Sequence, residues 1–232
     1  MKIEILEFEE GARKAKGVTV IIDVFRAFSV ECYAYNGGAE KVVATAEPEL
    51  AFDLKKLFNS PILVGERNER KINGFDFGNS PSEIIKADLK GKTIIHTTTA
   101  GTRGLINAVN AEIVLTGSLV NSQAVVRYIK SVNPSHVSLV AMGYRAVISA
   151  EEDLLCAEII ASGLTGDEKQ WGKRISGLRN TSGKRFFLPE NIDFSPPEDF
   201  FLCTDINRFD FILQATPGPE GSIILEKRLV IP

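Results

Sequence analysis

The sequence predicts an α/β protein, a three-layer α/β/α body with a mostly parallel, mixed sheet. Two observations carry that prediction. Over the first 165 residues, short β-branched runs alternate with amphipathic stretches. The apolar runs are also strand-length, and none approaches the roughly 20 residues of a membrane span.

Val18–Ile22 reads as a strand, and Arg26–Asn36 as a helix stopped by Gly37-Gly38. Lys41–Thr45 is a strand, and Pro48–Phe58 a helix with proline at its start. Ile62–Val64 is a strand, followed by a long polar loop from Gly65 to Pro81. Then come strand Thr93–His96, helix Thr102–Asn110, strand Ile113–Thr116, helix Ser122–Lys130, strand Val137–Met142 and helix Ala150–Ser162. Residues 163–185 are polar and glycine-rich and read as an exposed segment with one short helix. Phe209–Leu213 and Ser222–Ile231 read as strands around the turn-rich ATPGPEG, the second as an antiparallel addition to the sheet. No linker divides the chain cleanly, so residues 1–232 are expected to form one body or two closely packed lobes.

Composition narrows the function. With 27 basic and 30 acidic side chains the net charge is −3, which speaks against a general nucleic-acid binder. Two histidines argue against a multi-histidine zinc site. Cys32, Cys156 and Cys203 form no CxxC pair; Cys32 and Cys156 read as core packing. A reduced cytoplasmic setting is expected. The opening MKIEILEFEEGARKAKG carries charges where a signal peptide would be apolar.

The unusual feature is where the polar residues fall. Asp23 and Arg26 follow VTVII; Gly65-Glu66-Arg67 follows PILV; Thr97-Thr98-Thr99 follows TIIH; Gly117-Ser118 and Asn121 follow EIVLT; Gly143-Tyr144-Arg145 follows VSLVAM. Each cluster lies at the carboxyl end of a predicted strand, the edge where open α/β sheets bind ligands. The HTTTAGTRG segment, including Thr98, Thr99, Gly101 and Thr102, suits an anion at a helix start, although it is neither a Walker loop nor a dinucleotide fingerprint. The bland alternative is an N-cap from Thr99 or a neighbour. Arg26 and Arg67 suit a bidentate grip on phosphate, and Asp23 and Glu66 are hard oxygen ligands for Mg²⁺. Ser149 and Glu152 fit a capping box, which leaves Glu151 and Asp153 either solvated or turned toward the same metal. His96 ends a strand beside the threonines and is a candidate for catalysis, although a buried hydrogen-bonded histidine is the commoner case.

The motifs Asp23-Val-Phe-Arg26-Ala, Gly65-Glu66-Arg67, Gly74-Phe-Asp-Phe-Gly-Asn-Ser-Pro81, Thr97-Thr-Thr-Ala-Gly-Thr102, Thr116-Gly-Ser-Leu119 with Asn121, and Glu152-Asp153-Leu-Leu-Cys156 together resemble the ComB family, the 2-phosphosulfolactate phosphatases. The resemblance covers about residues 18–160 and departs from the common TTNGT in reading TTAGT. It implies a Mg²⁺-dependent phosphatase that cleaves (R)-2-phospho-3-sulfolactate to 3-sulfolactate and phosphate on the route to coenzyme M, or a related small phosphate monoester. In that picture Asp23 and Glu66, with Asp153 or Asp76, hold the metal. Arg26, Arg67 and the Thr98–Thr102 backbone neutralise phosphoryl charge. The nucleophile is a metal-activated water or an aspartate. Arg103 or Arg145 is available for a sulfonate. The expected partner is a small anionic phosphate ester, with no nucleic acid and no membrane, and a homodimer is expected from the habit of soluble enzymes. The alternatives are a non-catalytic sensor of a phosphorylated metabolite and a phosphoryl transferase.

Overall fold

The computed structural model describes residues 1–167 and 169–230. The strands are β1 (Lys2–Glu7), β2 (Gly17–Ile22), β3 (Lys41–Thr45), β4 (Ile62–Arg67), β5 (Arg70–Lys71), β6 (Thr93–Thr97), β7 (Ala111–Gly117), β8 (His136–Ala141), β9 (Phe211–Pro217) and β10 (Ile223–Leu229). The helices are α1 (Phe8–Lys14), α2 (Ala27–Asn36), α3 (Pro48–Lys55), α4 (Pro81–Ile84), α5 (Gly101–Asn107), α6 (Ser122–Val132), α7 (Glu151–Thr165), α8 (Gly172–Gly177) and α9 (Pro197–Cys203).

All ten strands join one mixed sheet in the order β1-β8-β2-β7-β9-β10-β3-β6-β4-β5. It contains two parallel blocks, β1-β8-β2-β7 and β3-β6-β4. The β9–β10 hairpin, antiparallel to both neighbours, lies between them. The expected antiparallel addition therefore lies in the middle of the sheet and not at its edge. Ile231, the last residue expected in that strand, falls outside the described residues.

The hairpin meets the blocks over short contacts: two residue pairs between β7 and β9, and three between β10 and β3. One face of each block packs against α2. Phe28 and Cys32 of α2 share one core with Ile21 and Val140 of the first block and with Val42, Val64 and Ile94 of the second. The outer face of the first block packs on α6 and α7 through Val20, Leu139, Val125 and Ile160. The outer face of the second block packs on α3 through Val43, Leu63 and Leu54. Continuous burial along β2 matches its unbroken apolar sequence, as expected of a strand covered on both faces. All three cysteines are buried and free.

One segment carried no structural expectation, and two expectations change. The first 14 residues hold β1 and α1, whose mixed polarity hid them: β1 is an edge strand, paired only with β8 among the described residues. The Ser149–Glu152 capping box does not form, because the N-cap is Ala150 and Ser149 Oγ donates to Glu7 of β1 at 2.6 Å. The segment 163–185 is not simply exposed: Ile175, Leu178 and Gly183 are buried, and so is Phe186 just beyond it. Gly183 is needed there, since a Cβ would lie 2.5 Å from the Phe200 ring.

Candidate active site

Asp23 follows directly on β2 and ties the two blocks together. Its Oδ1 accepts from the Ala27 amide at 3.2 Å and its Oδ2 from the Gly101 amide, across the seam, at 2.9 Å. Asp153, in the first turn of α7, accepts from Val24 N–H through Oδ1 and from Gly143 N–H through Oδ2, both at 2.8 Å. Glu66, near the end of β4, accepts from Thr99 N–H at 2.7 Å and from Glu69 N–H at 2.8 Å. Glu152 is 4 % exposed, and its Oε2 has no hydrogen-bond partner. These four carboxylates line one solvent-open cleft of about 530 Å³.

Charge repulsion and burial act on them together. Burial, reinforced by the Glu66 and Glu152 charges, pushes Asp23 up to about 6, while the Ala27 and Gly101 amides pull the other way. Asp153 is held well above the carboxylate range by burial and by Glu152 and Asp23. Burial also raises Glu152, against the nearby Arg185 charge.

Cations face this acidic floor. Arg26 is 3 % exposed; its Nη1 donates to Asp199 Oδ2 at 2.5 Å and to Phe194 O at 2.8 Å. Asp199 is fully buried, and its Oδ1 accepts from Ser80 Oγ and Ser82 N–H, both at 2.9 Å. Arg185 donates to Phe25 O at 2.9 Å, and its Nη1 lies 2.8 Å from Glu69 Oε1, an ion pair off-line for a hydrogen bond. Arg145 is exposed at the rim, on a left-handed turn with φ of 56°.

Of the residues singled out from sequence, Asp23, Arg26, Glu66, Thr98, Thr99, Gly143, Tyr144, Arg145 and Asp153 line the cleft, and so does Glu152. The others do not. Arg67 points away and donates to the carbonyls of Glu66 and Ala46. That follows from strand alternation, which sends Glu66 and Arg67 to opposite faces. Asp76 accepts from Leu63 N–H at 2.8 Å and braces the loop against β4. Ser118 and Asn121 form a capping box under the 119–121 turn, and Ser118 Oγ lies 2.7 Å from Ser29 Oγ of α2. His96 is fully buried between Glu31 and Asn79.

The expected amide cradle at HTTTAGTRG is largely taken by the protein itself. Gly101 N–H serves Asp23, Thr99 N–H serves Glu66, and Thr102 N–H goes to Thr98 Oγ1 at 3.3 Å. Thr99 does not cap α5, but its neighbour Thr98 does what a cap does, accepting from the second helical N–H. Sequence reasoning missed Arg185, Glu69, Asn68 and Asn79, and assigned Glu152 to a cap. The signal available for Arg185 was the Phe186-Phe187 pair after it, which anchors the segment in an aromatic cluster with Phe25 and Phe200.

A hard cation suits this donor set. Every candidate ligand is a carboxylate oxygen, and the two oxygens of Asp23, Asp153 and Glu66 are each steadied by a backbone N–H. Among the described residues no three acidic, histidine or cysteine side chains gather closely enough to form a ready-made cage. Mg²⁺ does not require one, because it keeps several waters and takes one or two carboxylates together with substrate oxygens.

An α/β body whose strand ends bring buried carboxylates against arginines is the setting of an enzyme acting on small anions. A family model described as 2-phosphosulpholactate phosphatase matches residues 5–215. A protein of Caldanaerobacter subterraneus named probable 2-phosphosulfolactate phosphatase is 44% identical over 218 residues, covering 88% of this chain and 90% of its own. One of Carboxydothermus hydrogenoformans with the same name is 40% identical, covering 100% and 97%. One of Bacillus subtilis, again so named, is 26% identical over the full length of both chains. The chain belongs to the 2-phosphosulfolactate phosphatase family.

Proposed function

We propose that this protein is a Mg²⁺-dependent phosphoric monoester hydrolase that cleaves 2-phosphosulfolactate to 3-sulfolactate and phosphate. The observation that carries the reading is the cleft in which Asp23, Glu66, Glu152 and Asp153 face Arg26, Arg145 and Arg185. Asp23, Asp153 and Glu66 would hold Mg²⁺, which when bound supplies a Lewis acid for the phosphoryl oxygens. Arg26, fixed by Asp199 and the Phe194 carbonyl, and Arg185 orient the phosphoryl group and offset charge that develops on it.

The attacking group is water on this reading. Both oxygens of Asp23, Asp153 and Glu66 already accept backbone hydrogens, whereas Glu152 Oε2 has none. Glu152 lines the cleft with its Oε2 free, and burial raises its carboxyl above the ordinary value, so it takes the proton from the water. Arg145 at the rim meets the sulfonate. We place the reaction on the route to coenzyme M, in the cytoplasm, with the chain acting as a homodimer; the family resemblance and the habit of soluble enzymes support these points.

The test is phosphate release from 2-phosphosulfolactate and from phospholactate, with Mg²⁺ and with EDTA. Turnover that requires Mg²⁺ and prefers the sulfonated ester is expected, with no acid-stable phosphoprotein. Full turnover in EDTA, or none on either ester, would overturn the reading.

A further inference from the structure

The cleft wall holds an amide that the acids and arginines leave unexplained. Asn79, from the GFDFGNSP motif, lines the cleft and is 6 % exposed. Behind it His96 is fully buried, with Nε2 at 3.2 Å from Asn79 Oδ1 and Nδ1 at 2.9 Å from Glu31 Oε1. Glu31 is 1 % exposed, and its Oε2 has no partner.

An amide can present either end, and the end it presents follows from the proton at Nε2. If Glu31 is ionised beside a neutral imidazole protonated at Nδ1, then Nε2 is bare. Asn79 must turn its NH2 inward and show a carbonyl to the cleft. That arrangement also leaves a net charge in a dry core, with one carboxylate oxygen lacking any donor, which is costly. One further proton cancels the charge: either on Nε2, giving an imidazolium beside the Glu31 carboxylate, or on Glu31 Oε1 facing Nδ1, with the imidazole hydrogen on Nε2. The remaining neutral arrangement puts the acid hydrogen on Glu31 Oε2, where it finds no partner. In both satisfied forms Nε2 donates to Asn79 Oδ1, and the NH2 faces the cleft. Burial raises the Glu31 carboxyl, which favours holding that proton.

We propose that Asn79 binds the phosphoryl group by donating its NH2 to a phosphate oxygen, and that Glu31 and His96 are positioning residues that fix this orientation. The inference rests on the phosphatase reading only in taking phosphate as the ligand. It gives a buried histidine at a strand end a role that reaches the cleft through its neighbour. It also explains why an asparagine serves here: a carboxylate would repel the anion, and a lysine would not be set by His96.

The test uses inorganic phosphate as the probe, titrated calorimetrically into the Mg²⁺-loaded protein, with circular dichroism to confirm each variant's fold. Asn79→Ala should weaken phosphate roughly ten- to a hundredfold, the scale of one hydrogen bond to a charged group. Asn79→Asp should weaken it further. Glu31→Gln should retain binding, because its amide donates to Nδ1 and leaves hydrogen on Nε2. Glu31→Leu should mimic Asn79→Ala and raise KM more than it lowers kcat. The wild-type chain has two histidines, so ¹⁵N-imidazole spectra with a His136→Gln variant assign His96 directly. Hydrogen on Nε2 is expected. A bare Nε2, or unchanged phosphate binding in Asn79→Ala, overturns the proposal. Phosphate binding that depends on Asn79 without turnover of 2-phosphosulfolactate would sustain it while overturning the proposed function.

Discussion

Replacing Asp199 by asparagine tests how the site is held. Asp199 is fully buried, and its two oxygens face opposite demands. Oδ2 takes the Arg26 guanidinium at 2.5 Å, and Oδ1 takes Ser80 Oγ and Ser82 N–H. An amide can satisfy only one side. With its oxygen toward Arg26 its NH2 meets the Ser82 N–H; with its oxygen toward Ser82 its NH2 meets a cation. Either way Arg26, 3 % exposed, loses its counter-charge. Breaking one side of a buried ion pair costs about 3–5 kcal/mol. Asparagine keeps the shape, so the lower end applies. That is a large share of the 5–15 kcal/mol typical of a domain, and lowers Tm by roughly 6–12 °C at this size. Activity should fall on the order of a hundredfold as Arg26 leaves its set position. Urea unfolding and phosphate release measure the two effects. Ser80→Ala is the control: it removes one donor to Asp199 and the N-cap of α4 but leaves the Arg26 counter-charge in place, and should cost about 2 kcal/mol with activity kept. An Asp199→Asn protein with wild-type stability and turnover would refute the claim that Asp199 fixes Arg26 in the site.

Three further outcomes follow from the same geometry. In EDTA, the raised Asp23 carboxyl makes the folded state bind its proton more tightly than the unfolded chain, so stability is greatest at low pH and declines as pH rises from about 4 through about 6. A gap of about two pH units is about 3 kcal/mol; urea midpoints compared with Asp23→Asn isolate it, Mg²⁺ should restore stability at neutral pH, and a flat difference between the two proteins would contradict this. Arg185→Ala should lower kcat/KM on the order of a hundredfold with the fold intact, whereas Arg67→Ala should lose some stability and little turnover; equal kinetic losses would show that Arg67 reaches the cleft after all. Gly101→Ala would place a Cβ 2.9 Å from Asp23 Oδ2 and 3.0 Å from Ala27 Cβ, so it should cost about 1–3 kcal/mol in melting experiments and abolish most activity by moving Asp23.

The layout of the site was legible wherever local rules decide it. Strand runs ending in Asp23, Glu66 and Thr98 announced an edge, and the parallel β/α pattern gave that edge a meaning. What stayed hidden depended on contacts between distant segments. Glu152 fits a capping box on spacing alone, and only the bond from Ser149 to Glu7 of an unread N-terminal strand releases it for the cleft. Arg185 sits in a segment whose glycines and charges suggest solvent, but Phe186 and Leu178 pin it under the aromatic cluster. Arg67 could have been set aside from the sequence, since successive residues on a strand cannot both face the same cleft. The β9–β10 hairpin was legible as strands; its insertion between two parallel blocks was not, because no local pattern encodes a strand's neighbours.

The seam between those blocks explains how the site divides its labour. Six backbone N–H groups, from Ala27, Gly101, Val24, Gly143, Thr99 and Glu69, point at the oxygens of Asp23, Asp153 and Glu66. In many anion sites such amides meet the substrate. Here they hold the protein's own carboxylates fixed and partly offset their mutual repulsion. Amides spent in this way cannot also grip a phosphate. On the proposed reading the substrate's charge is met instead by Arg26, Arg185 and the Asn79 amide, and by a cation bound to the acids themselves. Asp23 and Gly101 lie on different blocks, so the bond that orients the acid also closes the seam. A substitution that loosens the seam should therefore lower activity before it unfolds the chain.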